Sequence, residues 1–295
     1  DWKLNVQNMG RGSMLRQSLT APPGYVVIAG DESQIEARFV CTLCGQEDMR
    51  LIFASGGDVY SHQATKIFGW TVTKANKVER FIGKQCILGL GYGLGDEKYT
   101  RSIPILAKNQ LGIDLPYTSA EGKRDVTVYR TANTAIVDTW KLLNSRGMMA
   151  LTGAGDWRWG PVVFRKHCIE LPNGMFLYYH NLRQEAGGKF GTEWVFDYGG
   201  KKKRIYGGKI LENITQALAR IIVMEAAVRI RNRLAKLGIR LALQVHDELV
   251  FVVEVRYEEV VRKVLDFELK QRPSWLPNLP LDCEIGSGPN YGEAK

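Results

Sequence analysis

No apolar run in this 295-residue chain approaches the roughly 20 residues that a membrane-spanning helix needs. The opening stretch DWKLNVQNMGRG also has no signal-peptide core. Both absences argue against a membrane partner and lead to the expectation of a soluble, cytoplasmic protein, in the host cytoplasm if the source is viral. Cysteine is scarce: five residues, an odd number spread thinly, argue against a disulfide framework and fit a reducing compartment. Cys41 and Cys44 do form a C-x-x-C in the apolar stretch RFVCTLCG. With no second pair or nearby histidine they do not complete a zinc site, and both are expected to be buried helix residues. The glycine-rich GLGYG at 89–93 ends in no Gly-Lys-Ser/Thr and follows a helical pattern instead of a strand, which excludes a mononucleotide phosphate loop.

What the chain does hold is 45% hydrophobic residues, enough for a real core, and a net charge of +9, which favours a polyanionic partner, nucleic acid above all. Tyr25–Asp31 reads as a short buried strand ending on Gly-Asp, followed by a helical pattern over Glu32–Cys44. Asp58 begins another helix, and Lys74–Leu90 a third. Helices are expected from Thr100 to Asn144, with a loop at Gly112–Asp125. After that the texture turns to strands: Val162–Phe164, His167–Leu171 and, past the hairpin signal Pro172-Asn173-Gly174, Met175–Asn181. Lys201-Lys202-Lys203-Arg204, the densest charge run, reads either as a solvated turn or as a phosphate contact. Ile210–Leu237 is the longest helical pattern. Ile239–Val245 and Leu249–Val255 then form a hairpin whose tip is His246-Asp247-Glu248, a last helix spans Tyr257–Gln271, and little regular structure is expected from Pro273 to Lys295.

A carboxylate at the end of a core strand is costly unless a positive group meets it, so Asp31 either caps the next helix or holds a metal. Asp247 sits at the tip of an equally apolar hairpin. Two carboxylates delivered by rigid strands suit Mg²⁺, which takes one or two protein carboxylates and fills its octahedron with water and substrate phosphates. Arg80, Lys84, Leu88 and Tyr92 recur at four-residue spacing on one slowly turning helix face, with the two cations one turn apart. That pair suits a polyphosphate, although a solvated basic face satisfies the spacing equally. Strand-borne acids and a phosphate-grasping helix together read as two-metal phosphoryl transfer, and spacing alone leaves a metal nuclease open.

Asp31-Glu32-Ser33-Gln34-Ile35-Glu36-Ala37-Arg38 resembles the first palm motif of family A (DNA polymerase I-like) DNA polymerases, Asp-Tyr-Ser-Gln-Ile-Glu-Leu-Arg. Arg80, Lys84, Gly89, Tyr92 and Gly93 match that family's fingers helix at every interval, and His246-Asp247-Glu248 matches its third motif. Asn5–Met9 is similar to the family's upstream Leu-Gln-Asn-Ile segment, and Tyr92–Lys98 is similar to phage replicative members. The resemblance covers most of the chain and is weak between Thr100 and Lys209.

The resemblance implies an α+β palm, an antiparallel sheet with helices, in two segments (1–39 and 209–295) with a mainly helical fingers subdomain (40–208) inserted. It implies a template-directed DNA polymerase adding deoxynucleotides to a primer 3′-hydroxyl. Two Mg²⁺ ions would be held by Asp31, Asp247 and the main-chain carbonyl of Glu32, with Glu248 an accessory acid. Arg80 and Lys84 would grip the incoming triphosphate, Lys84 also protonating the leaving pyrophosphate. Glu36 and Tyr92 would close over the sugar to exclude a 2′-hydroxyl. Gln34, Tyr60 and Leu88 complete the expected nucleotide site; His246, Gln216, Asn8 and Arg204 are the expected contacts to primer-template DNA.

Three departures stand out: Glu32 replaces the usual tyrosine, Leu88 a phenylalanine or tyrosine that packs on the sugar, and Tyr60 a histidine near the phosphates. Neither a thumb nor an exonuclease motif is recognisable, so a portion carrying them, or a processivity factor, is an expected partner beside DNA and the deoxynucleotide. The rival readings are a single-subunit RNA polymerase-like enzyme and a catalytically silent nucleic-acid-binding fragment.

Overall fold

The computed structural model describes residue 9, residues 13–187 and residues 191–294; Asn8 and most of the Asn5–Met9 segment lie outside the described residues. In chain order the helices are α1 (Met14–Gln17), α2 (Ile35–Cys44), α3 (Glu47–Ala54), α4 (Val59–Phe68), α5 (Lys77–Gln85), α6 (Asp96–Leu111), α7 (Ser119–Ala132), α8 (Thr134–Leu142), α9 (Met148–Leu151), α10 (Gly207–Leu234) and α11 (Glu258–Leu269). The strands are β1 (Tyr25–Glu32), β2 (Trp157–Trp159), β3 (Val162–Arg165), β4 (Cys168–Glu170), β5 (Phe176–Tyr178), β6 (His180–Ala186), β7 (Thr192–Tyr198), β8 (Lys201–Ile205), β9 (Leu241–Val245), β10 (Glu248–Glu254) and β11 (Cys283–Gly288). Helix and antiparallel sheet are mixed, as expected of an α+β fold. No helix among the described residues is long and apolar enough to cross a membrane.

The chain divides into two compact units. The first holds residues 1–35, 219–277 and 281–295, the second residues 36–218 and 278–280. In the first, an antiparallel sheet runs in the order β11-β1-β10-β9. Its central strand β1 is a continuous apolar run, and the pleat sends alternate residues to opposite faces. Val26 and Ile28 join Leu249, Phe251 and Val253 against Ala226, Ile230 and Leu234 of α10 and Val261, Leu265 and Leu269 of α11. Val27 and Ala29 face the other way, with Val245, Val250 and Tyr291. A strand covered on both faces loses its polar alternation, which is why the motif ends abruptly on Asp31 rather than drifting into it.

The second unit gathers α2 to α9, the sheets β2-β3-β4-β5 and β6-β7-β8, and the part of α10 up to Leu218. Its α4 begins where the sequence places it, because the Asp58 carboxylate accepts the Tyr60 amide as an N-cap. Helices α4 and α5 approach so closely at Gly83 that any β-carbon there would collide with the Tyr60 carbonyl. Cys41 is buried and Cys44 half-buried. Burial pushes both thiols up to about 12, so neither is poised as a thiolate ligand.

Several expected elements are redrawn. The expected loop at 112–125 is only 112–118, since Thr118 and Glu121 form a reciprocal capping box that starts α7 early. The helix expected over Lys74–Leu90 is α only over Lys77–Gln85 and passes into a π turn at Cys86–Leu90. The single strand expected at Met175–Asn181 is two short ones in different sheets, β5 and β6. Lys201–Arg204 is no turn but the body of β8, paired along β7. The tail expected to be irregular supplies β11, which takes the second side of β1; its GSG residues hide its strand character, because backbone pairing and not side-chain pattern recruits it.

Candidate active site

In the first unit, strand register brings the two motif acids together. Asp31 lies directly opposite Glu248 across the β1–β10 ladder, and the Glu32 amide donates to the Asp247 carbonyl at 3.4 Å. Directly opposed residues of an antiparallel pair share a face, so Asp31 and Glu248 would repel one another without a cation. That cation is Arg16, whose Nη2 donates to both carboxylate oxygens of Glu248 at 3.1 Å. Its guanidinium lies 3.8 Å from the centroid of the Tyr291 ring, and the Tyr291 hydroxyl donates to Glu248 Oε2 at 2.9 Å. Burial pushes the Tyr291 phenol up, and its hydrogen bond to the Glu248 carboxylate adds to the rise. Glu248 is thus occupied by Arg16 and Tyr291, whereas Asp31 and Asp247 are only partly buried.

The turn between β9 and β10 is two residues, His246 and Asp247. His246 adopts φ 55° and Gln34, just past β1, φ 52°. Left-handed backbone costs a non-glycine residue about 1–2 kcal/mol, and such strain concentrates at functional sites. The His246 side chain is exposed and not packed under the hairpin, and Arg220 of α10 donates to its carbonyl at 3.2 Å. Among the described residues no cluster of three or more His, Cys, Asp or Glu forms a protein-only metal cage. A carboxylate at the end of β1 and one in the β9–β10 turn, with neighbouring Glu248 neutralised by arginine, fit a hard cation that draws its remaining oxygens from water and substrate.

In the second unit the expected triphosphate cations sit on α5. Arg80 is held by Asp58, Nε to Oδ2 at 2.6 Å and Nη2 to Oδ1 at 3.2 Å. Its guanidinium lies 5.3 Å from the centroid of the buried Tyr60 ring. Lys84 is half-buried and donates to Gln110 Oε1 at 3.3 Å. Burial pushes the Asp58 carboxyl up, but hydrogen bonds from Arg80 and Ser61 outweigh it and hold it below the ordinary range. Replacing Asp58 with alanine should cost about 1–2 kcal/mol in urea unfolding, through the lost cap and lost ion pair; asparagine should recover the cap's share. Because the folded-state value is depressed, the stabilisation is present above about pH 4 and is lost as pH falls through the lower folded value. The stability gap between the native chain and Asp58→Asn should therefore shrink on acidification.

The π turn at Cys86–Leu90 inserts an extra residue into the helical ladder, so the rotation from Leu88 to Tyr92 differs from that between Arg80 and Lys84. Leu88 is 40% exposed. The Tyr92 hydroxyl donates to Glu36 Oε2 at 3.1 Å, bringing these two expected sugar-facing residues together. Burial pushes the Glu36 carboxyl up; the Tyr92 hydrogen bond opposes this and nearby Glu212 reinforces it. Tyr92 is raised well above the usual phenol range, by burial first and by Glu36 second. Gln216 and Arg204 are exposed and line one groove of this unit, with Arg204 paired to Glu193 at 2.7 Å.

Sequence reasoning missed Arg16, Tyr291, Arg220 and Asp58 as supports of these groups. Only Asp58 carried a local signal, an acid at a helix start. The others act across separations such as the 232 residues between Arg16 and Glu248.

Comparison with known proteins adds an independent line. The model of DNA polymerase family A matches residues 3–113. A DNA polymerase of Bacillus phage SP02 is 28% identical over 92% of this chain and 42% of its own length. The thermostable DNA polymerase I of Thermus filiformis is 27% identical over 99% of this chain and 30% of its own. The chain thus spans well under half the length of these curated relatives. The POL domain of Pol1 from M. smegmatis, solved in complex with DNA primer-template and dNTP, superposes with a TM-score of 0.70 at 20% identity, over 98% of this chain and 45% of that one, a likeness of fold. By these comparisons the chain is similar to DNA polymerase family A over residues 3–113 and to DNA polymerases of phage and bacterial origin over most of its length.

Proposed function

We propose that this chain carries the polymerising centre of a DNA polymerase, which joins a deoxynucleotide to a primer 3′-hydroxyl and releases pyrophosphate. The observation that carries the reading is the paired register of Asp31 with the Asp247–Glu248 tip, with Arg16 neutralising Glu248. The first unit is read as the palm and the second as the fingers. This follows the expected segments 1–39, 40–208 and 209–295, with the compact division falling after residues 35 and 218.

Asp31 and Asp247, with the Glu32 carbonyl, are the proposed ligands of two Mg²⁺ ions, which when bound supply Lewis-acid activation of the hydroxyl and charge neutralisation at the leaving pyrophosphate. Arg80 would bind the triphosphate as a planar cation already oriented by Asp58. Lys84 would contribute an ammonium there and donate the proton that pyrophosphate needs on leaving. Primer-template DNA and dNTP, the ligands named for the M. smegmatis structure, are the proposed partners, with His246, Gln216 and Arg204 on DNA and Gln34, Tyr60 and Leu88 in the nucleotide site.

The hydrogen bond from Tyr92 to Glu36 favours a deoxynucleotide over a ribonucleotide, and so a DNA over an RNA polymerase. A ribose 2′-hydroxyl placed against that pair would have to break it or be left unpaired. The test is primer extension with Mg²⁺ and either four deoxynucleotides or four ribonucleotides. Extension with deoxynucleotides alone supports the reading, and preferential use of ribonucleotides would overturn it. In the same assay Glu36→Ala should reduce sugar discrimination by roughly 10²-fold.

A further inference from the structure

Of the basic run Lys201–Arg204 only Arg204 is given a role above, and the fold gives the whole run a setting. In the second unit, Phe176, Tyr178, Tyr198, Lys203, Arg204 and Lys209 line one open groove together with His180 and Gln216. Phe176, Tyr178 and His180 alternate along the chain, so they share one side of the extended backbone. Their rings form a ladder: Tyr178 and His180 are stacked at 5.4 Å and 9°, Phe176 and Tyr178 lie 5.8 Å apart at 33°.

The intervening Tyr179 points the other way, is buried, and accepts a hydrogen bond from Asn213 Nδ2 at 3.2 Å. It anchors the ladder from behind, edge-on to Phe196 at 5.1 Å. On β8, Lys203 pairs in register with Phe196 of β7. Tyr178 and Tyr198 are 54% and 67% exposed, far more than ring burial favours. Arg204 is paired to Glu193 and Lys209 to Glu212. Among the described residues, Lys201 and Lys203 make no ion pair, so the strand keeps net positive charge.

From these features we infer that the groove of β5, β7 and β8 binds an unpaired DNA strand, with bases stacking on the Phe176–Tyr178–His180 ladder and phosphates meeting Lys203 and its neighbours. Exposed rings beside a basic strand are the combination by which single strands are held without reading their sequence. The inference deepens the polymerase reading and rests on it only for the strand's identity, the template not yet copied.

The experiment is fluorescence anisotropy of the full chain with a labelled oligothymidylate and with a blunt DNA duplex, in chelator and without nucleotide, so that catalysis cannot contribute. Tyr178→Ala should weaken oligothymidylate binding roughly tenfold and leave the blunt duplex unchanged. Tyr178→Phe, which keeps the ring, should bind as the native chain does. Lys203→Glu should weaken binding and flatten its salt dependence. Native affinity in Tyr178→Ala, an equal loss on the blunt duplex, or an equal loss in Tyr178→Phe would each overturn the inference. Single-strand binding without primer extension would refute the polymerase reading alone, and extension without ring-dependent binding would refute this one alone.

Discussion

Asp247→Asn should abolish primer extension, with a loss of roughly 10³-fold or more, corresponding to about 4 kcal/mol of transition-state stabilisation, while the chain stays folded. Asparagine matches aspartate in size and can occupy the second position of the two-residue turn, so the β9–β10 hairpin and its register against β1 should persist. What disappears is one of the two partly buried carboxylates, Asp31 and Asp247, that are the proposed metal ligands. Glu248 cannot substitute, because both of its oxygens are held by Arg16 and one also by Tyr291. Single-turnover extension beside a thermal melt checks both halves. Unchanged extension, or a loss explained by unfolding, would remove Asp247 from the centre.

Arg16→Leu should be the most destabilising single change at the first unit, by about 3–5 kcal/mol in urea unfolding. The substitution takes the guanidinium away from the buried Glu248 carboxylate, which lies opposite Asp31 in the ladder and is also bonded by the Tyr291 hydroxyl. It also removes the cation over the Tyr291 ring. The cost comes from an uncompensated buried charge and not from a lost contact alone. The double change Arg16→Leu with Glu248→Gln should therefore recover most of the stability. Equal stability of the single and double variants would mean that Arg16 acts by packing. Because Arg16 lies on the four-residue helix α1, which has little stability of its own, loss of this pair should also free that segment to local proteolysis.

The core of the first unit was legible because its elements are long and apolar. β1 and β10 read as buried runs, and α10 as an extended helical pattern. The acidic hairpin tip, the α4 start at Asp58 and the spacing of Arg80 with Lys84 are equally local signals, each decided by residues within a few positions of one another. The hairpin was readable, but its expected three-residue tip His246–Glu248 is a two-residue turn with Glu248 on β10, and the left-handed φ of His246 was not readable. Histidine at that position pays for its conformation only because β9, β10 and Arg220 over-determine the turn.

By itself the sequence determined the candidate chemistry: which acids end core strands, which cations lie one helical turn apart, and which family pattern they match. Tertiary structure alone decided how those groups are charged and held. Glu248 is engaged by Arg16 and Tyr291 and Arg80 is oriented by Asp58, and β11 is recruited by backbone pairing from a tail with no strand pattern. The reason is physical: periodicity reports burial along one element, but a salt bridge or a ladder joins residues whose separation in the chain carries no local trace.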